Sequence, residues 1–246
     1  MTSVLPTARS TEIVYPSSDG EPLAETSVHV DAIIDAVVIL RQLLAERAIV
    51  LADQFLYYAQ GFPKLRVAPD IMVIFDVPPG ARDNYKTWEE GQVPAVIFEI
   101  TSEGTRKQDQ EAKKTLYAQL EVQEYWLFDP KGEWIPEQLR GYRLQGDGYA
   151  AIADGRSEPL QLRLQVDGAL IGFYREDTGE KLLAPGELVQ ALRAETLARQ
   201  SAEERAEREH QRAEQERQRA NQAESEVARL QAQLKALGVN PDGESI

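Results

Sequence analysis

The stretch from Pro69 to Pro130 contains three apolar segments: PDIMVIF at 69–75, AVIFEITS at 95–102 and EYWLFDP at 124–130. Each segment has the length of a β-strand and is rich in β-branched and aromatic residues. The first two segments each carry one acid, Asp70 and Glu99, where a buried strand should have none. Because burying a lone carboxylate costs on the order of several kcal/mol, we expect a metal ion or a cationic side chain beside these acids.

An amphipathic helix and two short strands are predicted before the Asp70 segment. Apolar residues recur at spacings of three and four from Glu25 to about Glu46, which predicts a helix with one buried face. Two short apolar runs, at roughly 49–53 and 55–59, predict strands before the turn at 60–63. The chain should therefore begin as a helix followed by a meander of strands.

A second helix is predicted between the Glu99 segment and the third segment. We expect it to run from Thr105 to about Leu120, because the sequence from Thr105 to Gln108 has the form of a capping box. A strand at Tyr125–Phe128 follows this helix. A β-helix-β order of this length implies a right-handed crossover between parallel strands, so the sheet should contain both parallel and antiparallel pairs.

The rest of the chain divides near Ala184. Short strands are predicted at 139–142, 149–152, 160–166 and 169–173. Between Gly186 and Gly238 there is no Pro or Gly, and a 4-3 spacing with Leu at both ends predicts a long helix with coiled-coil character. We therefore expect a domain at 1–184 and a helical coiled-coil tail at 185–246, whose Leu-rich end could pair two copies in a homodimer.

Charge and composition limit the classes of protein that fit. The net charge is −14, and residues 187–246 contain 12 acidic and 9 basic residues, so residues 1–186 carry −11. Because binding to a phosphate backbone needs clustered Lys and Arg, non-specific binding to DNA should be weak, and any contact should be local and helped by metal ions. The absence of Cys excludes disulfides and thiolate metal sites. Without a signal peptide or a membrane-spanning segment in the sequence, we expect a soluble, cytoplasmic protein.

Asp70 and Glu99 lie on neighbouring strands of the predicted meander and supply two hard oxygen ligands. This donor set suits Mg²⁺, which binds through one or two carboxylates together with water and substrate phosphate. In the alternative interpretation, Asp70 caps a turn and Glu99 pairs with a cation in the core. The residues by themselves leave both interpretations open.

Helical geometry separates two adjacent lysines of the second helix. At about 100° per residue, Lys113 lies on the flank of the buried face, where its long stem can bring the ammonium to the end of the Glu99 strand. Lys114 lies about 100° further round the helix and is expected to point to water. In the alternative interpretation, Lys113 forms only a surface ion pair with Asp109, one turn earlier.

These segments together resemble the Uma-two (Uma2) family, which belongs to the PD-(D/E)XK, or restriction-endonuclease-like, superfamily. The resemblance rests on the three segments above and on Asp109, Lys113 and Tyr117, and it extends from about Glu12 to Leu183. It implies an α/β fold with a restriction-endonuclease-like mixed sheet flanked by helices, to which this chain adds a long C-terminal helix. Three shorter motifs contribute to it: DGEP at 19–22, YKTW at 85–88 and LRGY at 139–142.

The resemblance implies a metal-dependent phosphodiesterase in which Asp70 and Glu99 hold Mg²⁺, with Mn²⁺ as an alternative ion. The superfamily's lysine normally follows its acid by two residues, but Thr101 occupies that position here. The family pattern implies that this lysine has moved onto the following helix, as Lys113. Glu25 resembles an additional acid that many such folds contribute to the site. Alternatively, Glu25 is an acid that the dipole favours at a helix N-terminus.

Three further positions are interpreted without a catalytic role. Asp129 is expected to end its strand before Pro130. The histidines are His29 and His210, and a histidine-based nuclease site is not expected. Glu121 stands where relatives usually have Gly, and a left-handed helix end would cost it about 1 kcal/mol, so we expect this helix to end differently.

Two hypotheses about function follow from these observations, and a nuclease that acts on RNA or on a repair intermediate is a third that the sequence does not separate from the first. In the first, the protein is an endonuclease that hydrolyses DNA phosphodiester bonds with a carboxylate-held Mg²⁺ and a helix-borne lysine. In the second, the nuclease-like domain has little or no activity and serves as a scaffold, while the tail mediates protein assembly. The negative net charge of residues 1–186, here called the body, modestly favours the second hypothesis. Convergence of Asp70, Glu99 and Lys113 in space would favour the first.

Overall fold

The computed structural model describes residues 13–20, 25–102, 104 and 108–237. The chain forms two compact units, Met1–Glu187 and Leu188–Ile246. The helices are α1 (Ser27–Leu44), α2 (Thr87–Glu90), α3 (Lys114–Gln119) and α4 (Pro185–Ala236), and a π-helical turn (Gln108–Lys113) precedes α3. The strands are β1 (Ala48–Ala52), β2 (Leu56–Tyr57), β3 (Arg66–Val67), β4 (Ile71–Phe75), β5 (Tyr85–Lys86), β6 (Val96–Ile100), β7 (Glu124–Phe128), β8 (Leu139–Gln145), β9 (Gly148–Ile152), β10 (Arg156–Ser157), β11 (Leu162–Asp167), β12 (Leu170–Arg175) and β13 (Lys181–Leu182).

The central sheet has six strands in the order β1-β4-β6-β7-β8-β9. The β6–β7 pair is parallel and the other pairs of this sheet are antiparallel, so the predicted mixed sheet is confirmed. Two smaller sheets have the orders β10-β11-β12-β13 and β3-β2-β5. The two-residue strands β3, β5, β10 and β13 were not predicted, because segments this short have no measurable periodicity.

Both faces of the central sheet are covered, which explains why its strands read as continuous apolar runs. Ile71, Val73 and Phe98 belong to the hydrophobic cluster on the α1 side. Met72 and Ile97 belong to a second cluster, which also contains Tyr117 of α3. Because successive strand residues point to opposite faces, Glu99 lies on the α3 side of the sheet.

Helix α1 is shorter than the predicted helix at 25–46. The side chain of Thr26 caps its N-terminus by accepting a hydrogen bond from the backbone N–H of His29, at 3.4 Å. The helix ends at Leu44, and the backbone N–H of Arg47 bonds to the carbonyl of Leu44, which turns the chain into β1. The predicted strands at 49–53 and 55–59 correspond to β1 and to the much shorter β2.

The second predicted helix is partly irregular. Its expected start at Thr105 lies outside the described residues, and Gln108–Lys113 forms a π-helical turn, which has i→i+5 hydrogen bonds, in place of the α-helix that the sequence predicts. The prediction that Lys114 points to water is wrong, because its ammonium lies 3.6 Å from the centroid of the Tyr142 ring on β8.

Helix α3 ends in a left-handed residue, contrary to the sequence-based expectation. Glu121 has φ of 60°. Its N–H bonds to the carbonyl of Ala118, and the N–H of Val122 bonds to the carbonyl of Tyr117, each at 3.0 Å. These two bonds form a Schellman motif, and burial of Tyr117 and Val122 in the same cluster supplies its hydrophobic contact. Glu121 therefore adopts the strained conformation that Gly would adopt more easily.

The predicted long C-terminal helix is confirmed as α4, which begins at Pro185 and runs for 52 residues. Proline is favourable at the first position of a helix, because an N–H group at that position would have no hydrogen-bond acceptor within the helix. The prediction of a boundary between domains near Ala184 stays a prediction. In the part of the chain that the structure describes, no helix is both long and apolar enough to cross a membrane.

Candidate active site

Strand pairing brings Asp70 and Glu99 together. In the antiparallel β4–β6 pair, Ile71 lies opposite Phe98, and the same register continued by one residue places Asp70 opposite Glu99. Residues opposite each other in antiparallel strands point to the same side of a sheet. The backbone N–H of Ile100 also donates a 2.6 Å hydrogen bond to Oδ2 of Asp70, which fixes this carboxylate at the end of β6.

Both carboxylate oxygens of Glu99 are bound by side chains from the helical segment that follows β6. Lys113 Nζ donates to Oε2 at 2.8 Å, and the Tyr117 hydroxyl donates to Oε1 at 2.7 Å. Glu99 is only 1% exposed. The interaction expected for Lys113 with the Glu99 strand is therefore present, and it pairs a buried carboxylate with a cation and a neutral donor.

Asp70 lies in surroundings that disfavour its charge. Burial raises its pKa well above the usual 3.8, and the negative charge of Glu99 raises it further. The hydrogen bond from Ile100 and the positive charge of Lys113 lower the pKa, but they do not compensate. Asp70 is thus a carboxyl group that an added cation would favour in its ionised form.

His29 lies beside Asp70, although the sequence analysis assigned no role to histidine. Its Nε2 is 3.8 Å from Oδ2 of Asp70, and its Nδ1 is 3.6 Å from Oε2 of Glu25. Both distances are too long for hydrogen bonds. Glu25, which was predicted as an additional acid of the site, therefore lies next to His29, and among the described residues no hydrogen bond joins it to Asp70. The spacing of four residues between Glu25 and His29 was the feature of the sequence that could have indicated that these two side chains are neighbours.

Asp53 is a further acid at this place that the sequence analysis missed. It follows β1 directly, with a left-handed φ of 50°, and its N–H bonds to the carbonyl of Asp70 at 3.3 Å. Burial raises the pKa of Asp53, His29 lowers it and Glu25 raises it. The β1–β4 register, with Ala52 opposite Ile71, places Asp53 beside Asp70. The register was not deduced from the sequence, and so this neighbour was not found.

The donor set of the site fits a hard divalent cation. Among the described residues, no three acidic or histidine side chains are grouped closely enough to form a complete metal site. Asp70 and Glu99 instead offer two carboxylates on adjacent strands, and Mg²⁺ commonly binds through one or two carboxylates while water and phosphate fill its other positions. This arrangement suits an ion whose remaining coordination positions are filled by water or phosphate.

Two other buried carboxylates have structural partners. Asp129 accepts hydrogen bonds from four backbone N–H groups of the loop after β7, as expected for an acid that ends a strand. Glu124 accepts from the Trp126 indole and from the Arg143 guanidinium on the α1 side of the sheet. Neither carboxylate has an oxygen directed at the Asp70–Glu99 pair in these contacts.

Comparison with known proteins gives a family match and a distant structural neighbour. The sequence model of the Uma2 family, described as "Putative restriction endonuclease", matches residues 5–170. Solved structures similar to the chain include "a putative nuclease belonging to DUF820" from Anabaena variabilis ATCC 29413, which is 16% identical with a TM-score of 0.41. That match covers 57% of this chain and 77% of the other. No curated protein matches the sequence.

Proposed function

This chain belongs to the Uma2 family, and we propose that it is an endonuclease that hydrolyses DNA phosphodiester bonds with a divalent cation at Asp70 and Glu99. The observation that carries this proposal is the Lys113–Glu99 contact of 2.8 Å beside a second, half-buried acid, Asp70, whose pKa is raised. A purely structural ion pair would need only one carboxylate, whereas the register of β4 and β6 supplies two.

The cation that fits this site is Mg²⁺ or Mn²⁺, held by Asp70 and Glu99. When bound, such an ion polarises a phosphoryl oxygen and lowers the pKa of a bound water. The phosphodiester of the substrate would complete its coordination, which explains why the chain offers few protein ligands. DNA is the substrate that we propose, with weak non-specific binding because the body is acidic.

Lys113 and Tyr117 have separable tasks in this proposal. In this proposal the Lys113 ammonium stabilises negative charge that develops on the phosphorane, and its bond to Glu99 orients that carboxylate. The Tyr117 hydroxyl holds the other oxygen of Glu99 and fixes the rotation of the carboxylate. Glu25 lies 3.6 Å from His29, which itself lies 3.8 Å from Asp70, and we assign Glu25 an electrostatic task in positioning these groups.

The proposal is tested by incubating the full chain with supercoiled plasmid and Mg²⁺ or Mn²⁺. We expect nicked or linear product with either ion and none in EDTA. Glu99→Gln is the matched control, because it keeps the size of the side chain and its ability to accept a hydrogen bond but removes the charge. Equal cleavage by the wild type and Glu99→Gln would show that the cleavage does not depend on Glu99 and would refute the proposal.

One observation favours a second function, that of a nuclease-like scaffold. Both oxygens of Glu99 already accept hydrogen bonds from the protein, so a cation must share them with Lys113 and Tyr117. In a scaffold, the Lys113–Glu99 pair would only neutralise a buried charge, and α4 would mediate assembly through its exposed Leu residues. Pairing of two copies through the Leu-rich end of α4, at Leu230 and Leu234, is compatible with either function. Absence of cleavage in a folded protein would support the scaffold.

A further inference from the structure

A cleft opens where the two parallel strands of the central sheet end. Its volume is about 240 Å³. The start of α1 forms one wall, and the loops that follow β6 and β7 form the others, with Thr101, Ser102, Lys131 and Trp134 among the lining residues. Ligands in α/β proteins commonly bind at the carboxyl ends of parallel strands, because the loops there diverge. Thr101 is two residues from Glu99, so the cleft adjoins the candidate active site.

Two buried side chains of this cleft carry polar atoms without a hydrogen-bond partner among the described residues. These atoms are Nδ1 of His29 and Oγ1 of Thr101. His29 is 5% exposed and Thr101 is 4% exposed. The closest acid to His29 Nδ1 is Glu25 at 3.6 Å, beyond hydrogen-bonding distance. A buried polar group without a partner costs free energy, so a ligand that supplied one would be stabilised here.

The third wall of the cleft is held in place by Asp129. Its carboxylate accepts hydrogen bonds from the backbone N–H groups of Lys131, Gly132, Trp134 and Ile135. The half-buried Trp134 and the exposed Lys131 and Glu133 of this loop are among the residues that line the cleft. An aromatic side chain, a nearby cation and hydrogen-bonding atoms are the kinds of group that recognise an unstacked base and its phosphate.

We propose that this cleft receives the base of one unpaired nucleotide next to the phosphodiester that is cut. This inference rests on the proposed nuclease function and specifies its substrate as a nucleic acid with a single-stranded or extruded nucleotide. A base inside a duplex is stacked on both faces and paired along one edge, so it cannot enter a cleft of this kind. The body's net charge of −11 also disfavours tight binding along a duplex backbone, so a local base contact would provide much of the affinity.

Each group has a defined part in this interaction. The indole of Trp134 stacks on the base, Thr101 Oγ1 and His29 Nδ1 bond to its edge after a small adjustment of the cleft, and Lys131 approaches the adjoining phosphate. The carboxylates of Asp70 and Glu99 take no part in holding the base. Binding of the base and cleavage of the phosphodiester can therefore be measured separately.

The test uses the full chain carrying Glu99→Gln, in EDTA, so that binding is measured without cleavage. The probes are a fluorescein-labelled single-stranded 12-nucleotide oligodeoxynucleotide of mixed sequence and the blunt duplex containing the same strand, compared by fluorescence anisotropy. We expect the single strand to bind at least about tenfold more tightly than the duplex. Adding Trp134→Ala should weaken single-strand binding by about tenfold or more, whereas Trp134→Phe, which keeps an aromatic face, should weaken it much less.

Thr101→Val provides a second variant that removes the hydroxyl but keeps the shape of the side chain. It should weaken binding of the single strand by about two- to tenfold. Equal binding of single strand and duplex, an unchanged Kd in Trp134→Ala, or no binding of either probe would each overturn the inference. Cleavage by the wild type with Mg²⁺ is measured in parallel, so a failed base cleft and a failed nuclease proposal give different results.

Discussion

Lys113 and Lys114 are adjacent in sequence but contact different groups. Lys113 bonds to Glu99 at 2.8 Å, and Lys114 lies over the ring of Tyr142. If Lys113 stabilises the transition state, Lys113→Met should reduce metal-dependent cleavage by about 10²–10³-fold while keeping the apolar stem. Lys114→Met is the matched control and should leave the cleavage rate nearly unchanged. Initial rates of plasmid nicking measure both, and a similar loss in the two variants would contradict the role of Lys113.

The free energy of unfolding should depend on pH through Asp70. Because the pKa of Asp70 is raised in the folded protein, its protonated form contributes stability that is complete below the usual pKa of 3.8 and is lost as the pH rises through the folded-state pKa. Asp70→Asn should therefore raise the free energy of unfolding at pH 7 in EDTA, and the gain should shrink as the pH falls towards 4. Urea denaturation at several pH values measures this. A variant that is less stable than the wild type at pH 7 would show that the carboxylate is well compensated without a cation.

The carboxyl end of α3 shows how a local rule can be overridden by its surroundings. Glu121 keeps a φ of 60° because the Schellman bonds and the burial of Tyr117 and Val122 stabilise that helix end. Glu121→Gly should then raise the free energy of unfolding by about 1 kcal/mol, because Gly adopts the left-handed conformation without steric cost. Chemical denaturation provides the value, and Glu111→Gly, at an exposed position in the π-helical turn, is the comparison that should not stabilise. Loss of stability in Glu121→Gly would mean that the Glu side chain itself contributes.

At the scale of whole elements, the sequence predicts what depends on local pattern. The apolar runs of β4, β6 and β7, the crossover and the long α4 each have a periodic or compositional signal, and they are present as expected. Strand register has no such signal, and the proximity of Asp53 to Asp70 follows from register alone. The π-helical turn was also not predicted. It changes the helical phase from which Lys114 was expected to point to water. The roles of Asp70, Glu99, Lys113 and Glu25 remain predictions.

At the scale of the molecule, the two units should be separable. Removing residues 188–246 keeps Glu187, whose carboxylate accepts hydrogen bonds from Lys181 and from the N–H of Ala184. The remaining chain should unfold cooperatively and should sediment as a monomer if the exposed Leu residues of α4 mediate pairing. Circular dichroism and sedimentation velocity measure the two properties. An insoluble shortened chain would contradict the division of the chain into two units. A shortened chain that remains a dimer would show that the interface lies in residues 1–187.

The central claim is that Asp70 and Glu99, on neighbouring strands, hold one divalent cation site. Titration of the full chain with Mn²⁺, followed by the electron paramagnetic resonance signal of the free ion, tests it most directly. We predict saturable binding that is lost or strongly weakened in both Asp70→Asn and Glu99→Gln, and retained in Lys114→Met. Binding that is unchanged in both acid variants, or no binding to the wild type, would contradict it.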